Sequence, residues 1–317
     1  MAGKCLAGRF QLDHVISAGQ FNRSSLEAVM QKSAEMETNA GWYCKNKPLD
    51  GLVMATLFYE PSTRTRLSFE SAMSRLGGKV IGTENAKEFS SAAKGETIED
   101  TIRVVNGYAD VIVMRHYEMG ASARAASVSR APIINAGDGP GEHPTQALLD
   151  LYTIQKEFGS PDQLNIAMVG DLKNGRTVRS LSQLLSHYSP RNIVFVAPEF
   201  LSMGKDIKEL LREKRIPFVE VESLEEALML TDVVYMTRIQ KERFSDQATY
   251  EKYKDVYVLD AQKMRLLPEK GIVMHPLPRV GEIAKEVDLD PRARYFEQAQ
   301  NGLYVRMALL DLLLRPE

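Results

Sequence analysis

The sequence predicts an α/β protein made of two doubly wound parallel sheets, and three observations carry that prediction. Short apolar, β-branched runs alternate with segments of helical period along the whole chain. Arginine-bearing polar stretches recur just past the ends of those runs, where such folds gather ligands. The pattern restarts near Gly159-Ser160-Pro161, and 317 residues exceed one comfortable core. Two domains are therefore expected, over residues 1–150 and 151–290, with a last helix over 291–317 packing back on the first.

Asn22 to Ala40 carries Leu26, Val29, Met30, Ala34 and Met36 at helical spacing. Leu52 to Tyr59 has the length and character of a buried strand, and Glu60-Pro61 breaks it. Ser62 and Thr63 can cap a helix whose apolar face is Leu67, Phe69, Ala72, Met73 and Leu76, stopped by Gly77-Gly78. Lys79 to Gly82 reads as a short strand. Residues 83–97 are small and polar without period, a loop long enough to suggest function. A helix over Ile98–Ala109 follows, then a strand over Asp110–Met114 that ends at Arg115-His116. A small-residue helix over 121–130, a strand over Pro132–Asn135 and a glycine-rich turn over 136–142 lead into a helix from His143 to Phe158, with Pro144 at the favoured first-turn position.

In the second half, strands are expected at 165–170, 192–197, 218–221, 232–237, 256–260 and 272–274. Helices interleave up to His187 and near 203–214 and 223–230, and the last one runs from about Pro291 to Leu314.

Composition narrows the function. With 44% hydrophobic and 26% charged residues the chain is globular, and a net charge of −2 gives no electrostatic footprint for nucleic acid or an acidic membrane. Cys5 and Cys44 alone offer no disulfide framework and fit a reducing compartment. His14, His116, His143, His187 and His275 are scattered without zinc-ligand spacing, so neither metal nor cofactor is expected. No apolar run approaches a membrane span and no secretory signal is visible. The expected location is the cytoplasm, or the plastid stroma if a transit peptide has been removed.

The candidate site begins with Ser62, Thr63, Arg64 and Thr65. They stand at a helix N-terminus just past a strand, where free N–H groups and the dipole favour an anion. Hydroxyls and a guanidinium make phosphate the best-suited anion. The plain alternative is an ordinary N-cap beside a solvated arginine. Arg115, the Gly170…Gly175-Arg176-Thr177 turn and Thr237-Arg238-Ile239-Gln240 bring polar groups to other strand ends. His143 and Gln146 lie one helical turn apart, and His275-Pro276-Leu277-Pro278-Arg279 adds a further cluster. Each arginine taken alone could be a surface ion pair. Together, arginines, hydroxyls, an imidazole and amides without a nucleophile suit a reaction between two bound anionic substrates, driven by orientation and charge stabilisation. A nucleotide-binding loop at Gly170–Thr177 is the alternative of another class; its lysine position holds Arg176, which does not replace lysine as a point charge.

PSTRTR at 61–66, HPTQALLD at 143–150, VGDLKNGRTV at 169–178, MTRIQKER at 236–243 and HPLPR at 275–279 resemble the aspartate carbamoyltransferase family. The likeness covers nearly the whole chain, and the wording around FYEPSTRTRLSFESAM and EFSSAAKGET is most similar to plant and algal members. PSTRTR and HPTQ are shared with ornithine carbamoyltransferases, so an ornithine-type enzyme is the alternative. Lys94-Gly95-Glu96, Arg238-Ile239-Gln240 and His275-Pro276-Leu277-Pro278 favour aspartate. The resemblance implies the aspartate/ornithine carbamoyltransferase fold and the reaction of carbamoyl phosphate with L-aspartate to give N-carbamoyl-L-aspartate and phosphate, the committed step of pyrimidine synthesis. It implies carbamoyl phosphate in the N-terminal domain, aspartate in the C-terminal one, closure between them, and a homotrimer with shared sites. Ser62, Thr63, Arg64 and Thr65 would then take the phosphate, and Arg115 both phosphate and carbonyl oxygen. His143 and Thr65 would polarise that carbonyl, and Gln146, with the Leu277 backbone oxygen, would hold the carbamoyl NH2. Arg176, Arg238, Gln240 and Pro278 would form the aspartate site, and Ser90 and Lys94 would reach it from the neighbouring subunit. The same resemblance suggests a cis peptide at Leu277-Pro278 and feedback by UMP at the phosphate anchor.

Overall fold

The computed structural model describes residues 10–86, 95–239, 253 and 255–315. The chain forms two units, one from the N-terminus to Tyr152 together with the segment from Asn301 onward, the other Thr153–Gln300.

In the first unit four parallel strands lie in the order β2-β1-β3-β4: β1 Val53–Phe58, β2 Lys79–Glu84, β3 Val111–His116 and β4 Ile133–Asp138. Helices α1 (Arg23–Thr38), α2 (Ala40–Asn46), α3 (Thr63–Arg75), α4 (Ile98–Val105), α5 (Ala121–Val128) and α6 (Pro144–Phe158) connect or flank them. β3 and β4 are buried along their whole length, the mark of strands covered on both faces. Asn22 starts α1 by accepting a hydrogen bond from Ser25 N–H at 2.9 Å, and Thr97 does the same for α4 at Asp100 N–H. Val15 extends the sheet by bridging Ile134 at the β4 edge, a role that the N-terminal residues do not announce.

The second unit holds a five-stranded parallel sheet in the order β7-β6-β5-β8-β9: β5 Asn165–Val169, β6 Asn192–Val196, β7 Phe218–Val221, β8 Val233–Met236 and β9 Ile272–Met274. Its helices are α7 (Arg176–Leu185), α8 (Lys205–Glu213), α9 (Leu224–Leu228), α10 (Ala261–Met264) and α11, Tyr295–Leu314, whose C-terminal part belongs to the first unit. Ala167, Val169, Val194, Val196, Val234, Met236 and Tyr295 sit together in its core.

Several expected boundaries move. The run at 256–260 is not a strand: Leu259 makes one isolated bridge to Ile283, and Tyr257 and Leu259 are buried in the core without joining the ladder. The last helix begins at Tyr295 rather than at 291, because Ala293 first bridges Val273 of β9 in extended form. β4 continues to Asp138 and so takes in the start of the expected glycine turn, and α4 stops at Val105.

Candidate active site

Both sheets reverse their strand order once, and the sequence-predicted arginines stand at those reversals. In the first unit the chain leaves β1 for β2 on one side and β3 on the other, so the crevice lies at the C-terminal ends of β1 and β3. Phe58 pairs in register with Arg115 there, and Tyr59 N–H donates to the Arg115 carbonyl at 2.8 Å.

Ser62 is the N-cap of α3, with extended backbone, yet its side chain makes no capping hydrogen bond. Its hydroxyl and the first-turn N–H groups are thus available to an anion at the positive end of the helix. Arg66 is tied to Glu70 one turn on at 2.7 Å, whereas Arg64 has an exposed side chain. Local shielding pulls the Arg64 guanidinium below its ordinary value, and arginine stays charged regardless. Thr65 is buried beside it.

Arg115 is aimed by an irregularity in the sheet. Met114 pairs with Asn135 and His116 with Asp138, so β4 places Ala136 and Gly137 opposite the single residue Arg115. Such bulges redirect side chains beside sites. The buried guanidinium donates to the Ala136 carbonyl at 3.1 Å and pairs with Glu60 at 2.7 Å. Glu60 is the residue that sequence reasoning missed; it reads as a strand breaker, and the signal was its acid directly before Pro-Ser-Thr-Arg. His143 is buried just before α6, with Thr145 Oγ1 3.4 Å from its Nδ1, and Gln146 N–H donates to the His143 carbonyl at 3.0 Å.

In the second unit the reversal lies between β5 and β8. Past β5, the buried Asp171 holds the turn by accepting from Asn174 N–H and Nδ2, both at 3.0 Å, and Arg176 opens α7. Past β8, Thr237 N–H and Oγ1 donate to the Val169 carbonyl at 2.9 and 2.7 Å, which sets the start of the Arg238 turn. Gly170 (φ +119) permits this approach, since a Cβ there would lie 2.4 Å from the Thr237 carbonyl oxygen.

The His275–Arg279 loop contains the expected cis bond at Leu277-Pro278, with Leu277 at φ 52. That left-handed conformation costs a leucine about 1–2 kcal/mol, so its surroundings must impose it. His275 Nδ1 accepts from Leu277 N–H at 2.8 Å, and its Nε2 lies 2.7 Å from Glu282 Oε1. Glu282 also accepts from Val280 and Gly281 N–H, each at 3.0 Å. Arg279 serves as an anchor: Asp288 and the Tyr295 hydroxyl hold its guanidinium, which stacks on the Tyr295 and Phe296 rings. Ser90, Lys94 and Gln240 lie outside the described residues. Among the described residues, no cluster of three or more His, Cys, Asp or Glu could hold a metal, and no helix is long and apolar enough to cross a membrane.

The first unit's region matches the family model described as the aspartate/ornithine carbamoyltransferase carbamoyl-P binding domain, over residues 13–156. Residues 162–313 match the Asp/Orn binding domain of the same family. The Arabidopsis thaliana chloroplastic aspartate carbamoyltransferase is 56% identical over 96% of this chain and 79% of its own length. The solved catalytic subunit of M. jannaschii aspartate transcarbamoylase is 49% identical with a TM-score of 0.88, covering 96% of this chain and 98% of that one. The Trypanosoma cruzi aspartate transcarbamoylase solved with carbamoyl phosphate and aspartate is 43% identical with a TM-score of 0.87, covering 96% of both chains. The matched motifs, both domain models and this breadth of identity agree: the chain belongs to the aspartate/ornithine carbamoyltransferase family, among its aspartate carbamoyltransferase catalytic chains.

Proposed function

We infer that the chain transfers the carbamoyl group of carbamoyl phosphate to the amine of L-aspartate, with the phosphate held at the start of α3 and the aspartate carboxylates held in the second unit. The observation that carries this reading is the pairing, at the β1/β3 reversal, of an α3 start whose Ser62 hydroxyl makes no capping bond with a buried, aimed Arg115. The Trypanosoma cruzi relative was solved with both substrates, which supports the same pair for this chain.

In this reading Ser62, Thr63, Arg64 and Thr65 bind the phosphate, and Arg115 spans phosphate and carbonyl oxygen. The amine nitrogen attacks the carbonyl carbon and forms the new C–N bond. The oxyanion that develops is met by Thr65, Arg115 and His143; losing one such donor typically costs ~3 kcal/mol of barrier. The C–O bond to phosphate then breaks, and the departing phosphate takes the amine proton, so no protein base is needed. Gln146 and the Leu277 carbonyl hold the carbamoyl NH2, while Arg176, Arg238, Gln240 and the Pro278 turn receive aspartate. Holding both substrates in one geometry supplies roughly 7–11 kcal/mol.

The family resemblance at Lys94-Gly95-Glu96 supports a homotrimer in which Ser90 and Lys94 complete a neighbour's site. The α3 anchor also suits a nucleotide phosphate, so UMP is proposed as an inhibitor competitive with carbamoyl phosphate. Relatives named as chloroplastic support a plastid location. The test is incubation with carbamoyl phosphate and either aspartate or ornithine, with detection of the ureido product. Turnover with aspartate alone is expected; turnover with ornithine alone, or with neither, overturns the reading.

A further inference from the structure

One turn beyond Gln146, α6 carries Asp150, a carboxylate with 0% exposure. Gln146 Nε2 donates to Asp150 Oδ1 at 2.8 Å. A carboxylate only accepts, so the amide nitrogen must face it, and Gln146 Oε1 is turned away. The partly exposed Gln146 therefore presents an acceptor rather than a donor.

Asp150 is itself backed by a cation. Arg306, on the part of α11 that belongs to the first unit, is 3% exposed. Burial pulls its guanidinium down to about 10, and the Asp150 charge works in the opposite direction. The guanidinium also lies 5.1 Å from the centroid of the Phe69 ring on α3. Gly302, one turn earlier on α11, leaves it room, because a Cβ there would come within 2.3 Å of Arg306 Nη1. The buried charges thus link α11 to both helices that start at the candidate site.

We propose that Asp150, backed by Arg306, is a positioning residue that fixes the Gln146 amide with its oxygen outward, and so lets the site select the carbamoyl NH2 over phosphate alone. The inference rests on Gln146 meeting that NH2. A carbamoyl nitrogen needs an acceptor, and a flipped Gln146 would oppose it with a second NH2. Inorganic phosphate offers no nitrogen, so its binding at the start of α3 does not depend on the amide. A merely structural Asp150 would affect both anions alike.

The test measures dissociation constants of carbamoyl phosphate and of inorganic phosphate by calorimetry, on the whole chain and its variants. Asp150→Asn replaces a carboxylate that can only accept with an amide that can also donate, so the Gln146 amide is no longer held with its nitrogen inward. It should weaken carbamoyl phosphate about tenfold, the size of one lost hydrogen bond, and leave phosphate within about twofold. In a Gln146→Ala background the same change should add nothing. Because Asp150→Asn leaves a buried cation uncompensated, Asp150→Leu/Arg306→Leu removes both charges together and should give the same split between the anions. Equal losses for the two anions, an Asp150 effect that persists without Gln146, or wild-type carbamoyl phosphate binding in the folded double variant overturns the proposal. Wild-type binding by Gln146→Ala alone overturns instead the placement of Gln146 on which it rests.

Discussion

His275 Nε2 lies 2.7 Å from Glu282 Oε1, and this buried pair closes the loop that carries the cis Leu277-Pro278 bond. Because His275 Nδ1 accepts from Leu277 N–H, the ring's other nitrogen is left as the donor to the carboxylate. Leu277 is thereby held in a conformation that leucine does not choose unaided.

That pair gives the loop an acid limit. Burial pushes the Glu282 carboxyl up, but the hydrogen bond from His275, with the backbone N–H groups, outweighs it and holds the carboxyl at about 2, against an ordinary 4.5. A carboxyl lowered on folding contributes its stability fully above its unfolded value and loses it as pH falls toward the folded one. The contribution, on the order of 3 kcal/mol, should therefore be complete above about pH 5 and disappear between about 4.5 and 2. Denaturant unfolding at a series of pH values should show that limb in the wild type and a flatter one in Glu282→Gln; the same slope in both would contradict it.

Gly170→Ala is expected to destabilise the chain by about 1–3 kcal/mol. It forces a Cβ against the Thr237 carbonyl oxygen at 2.4 Å in a backbone conformation that suits glycine. The displaced Thr237 turn should also raise the aspartate KM through Arg238. A lower denaturation midpoint with an unchanged aspartate KM would detach this turn from substrate binding.

Alternation of strands and helices was legible because both sheets are parallel and their inner strands are buried along nearly their whole length, so those strands read as apolar runs. The α3 start was equally legible, since Ser62, Pro61 and the Leu67–Leu76 period are local signals. Residues 256–260 misled because apolar character reports burial, not a ladder partner: Leu259 is buried in the core but makes one isolated bridge, to Ile283. Glu60 and Arg115 are far apart in sequence, and no local pattern joins them. Asp150 looked like the end of a helical motif until Arg306, from the other end of the chain, gave it a counter-charge.

Hybrid trimers test the proposed sharing of sites. Lys94→Ala should fold and assemble but be nearly inactive if Lys94 completes the neighbour's site; an exposed lysine without a role would cost nothing. Arg115→Ala should be inactive from the other side of the same site. Mixing the two variants should restore part of the activity once subunit exchange is verified, since some sites then combine an intact Arg115 with a neighbour's Lys94. Verified hybrids without activity would rule out shared sites.

The division of substrates between the two units is tested most directly by the two KM values of Arg238→Ala. Losing a charge-assisted contact to a carboxylate should raise the aspartate KM roughly 10–100-fold, while the carbamoyl phosphate KM stays within about twofold. A parallel rise in both KM values, in a variant that folds like the wild type, would contradict the account.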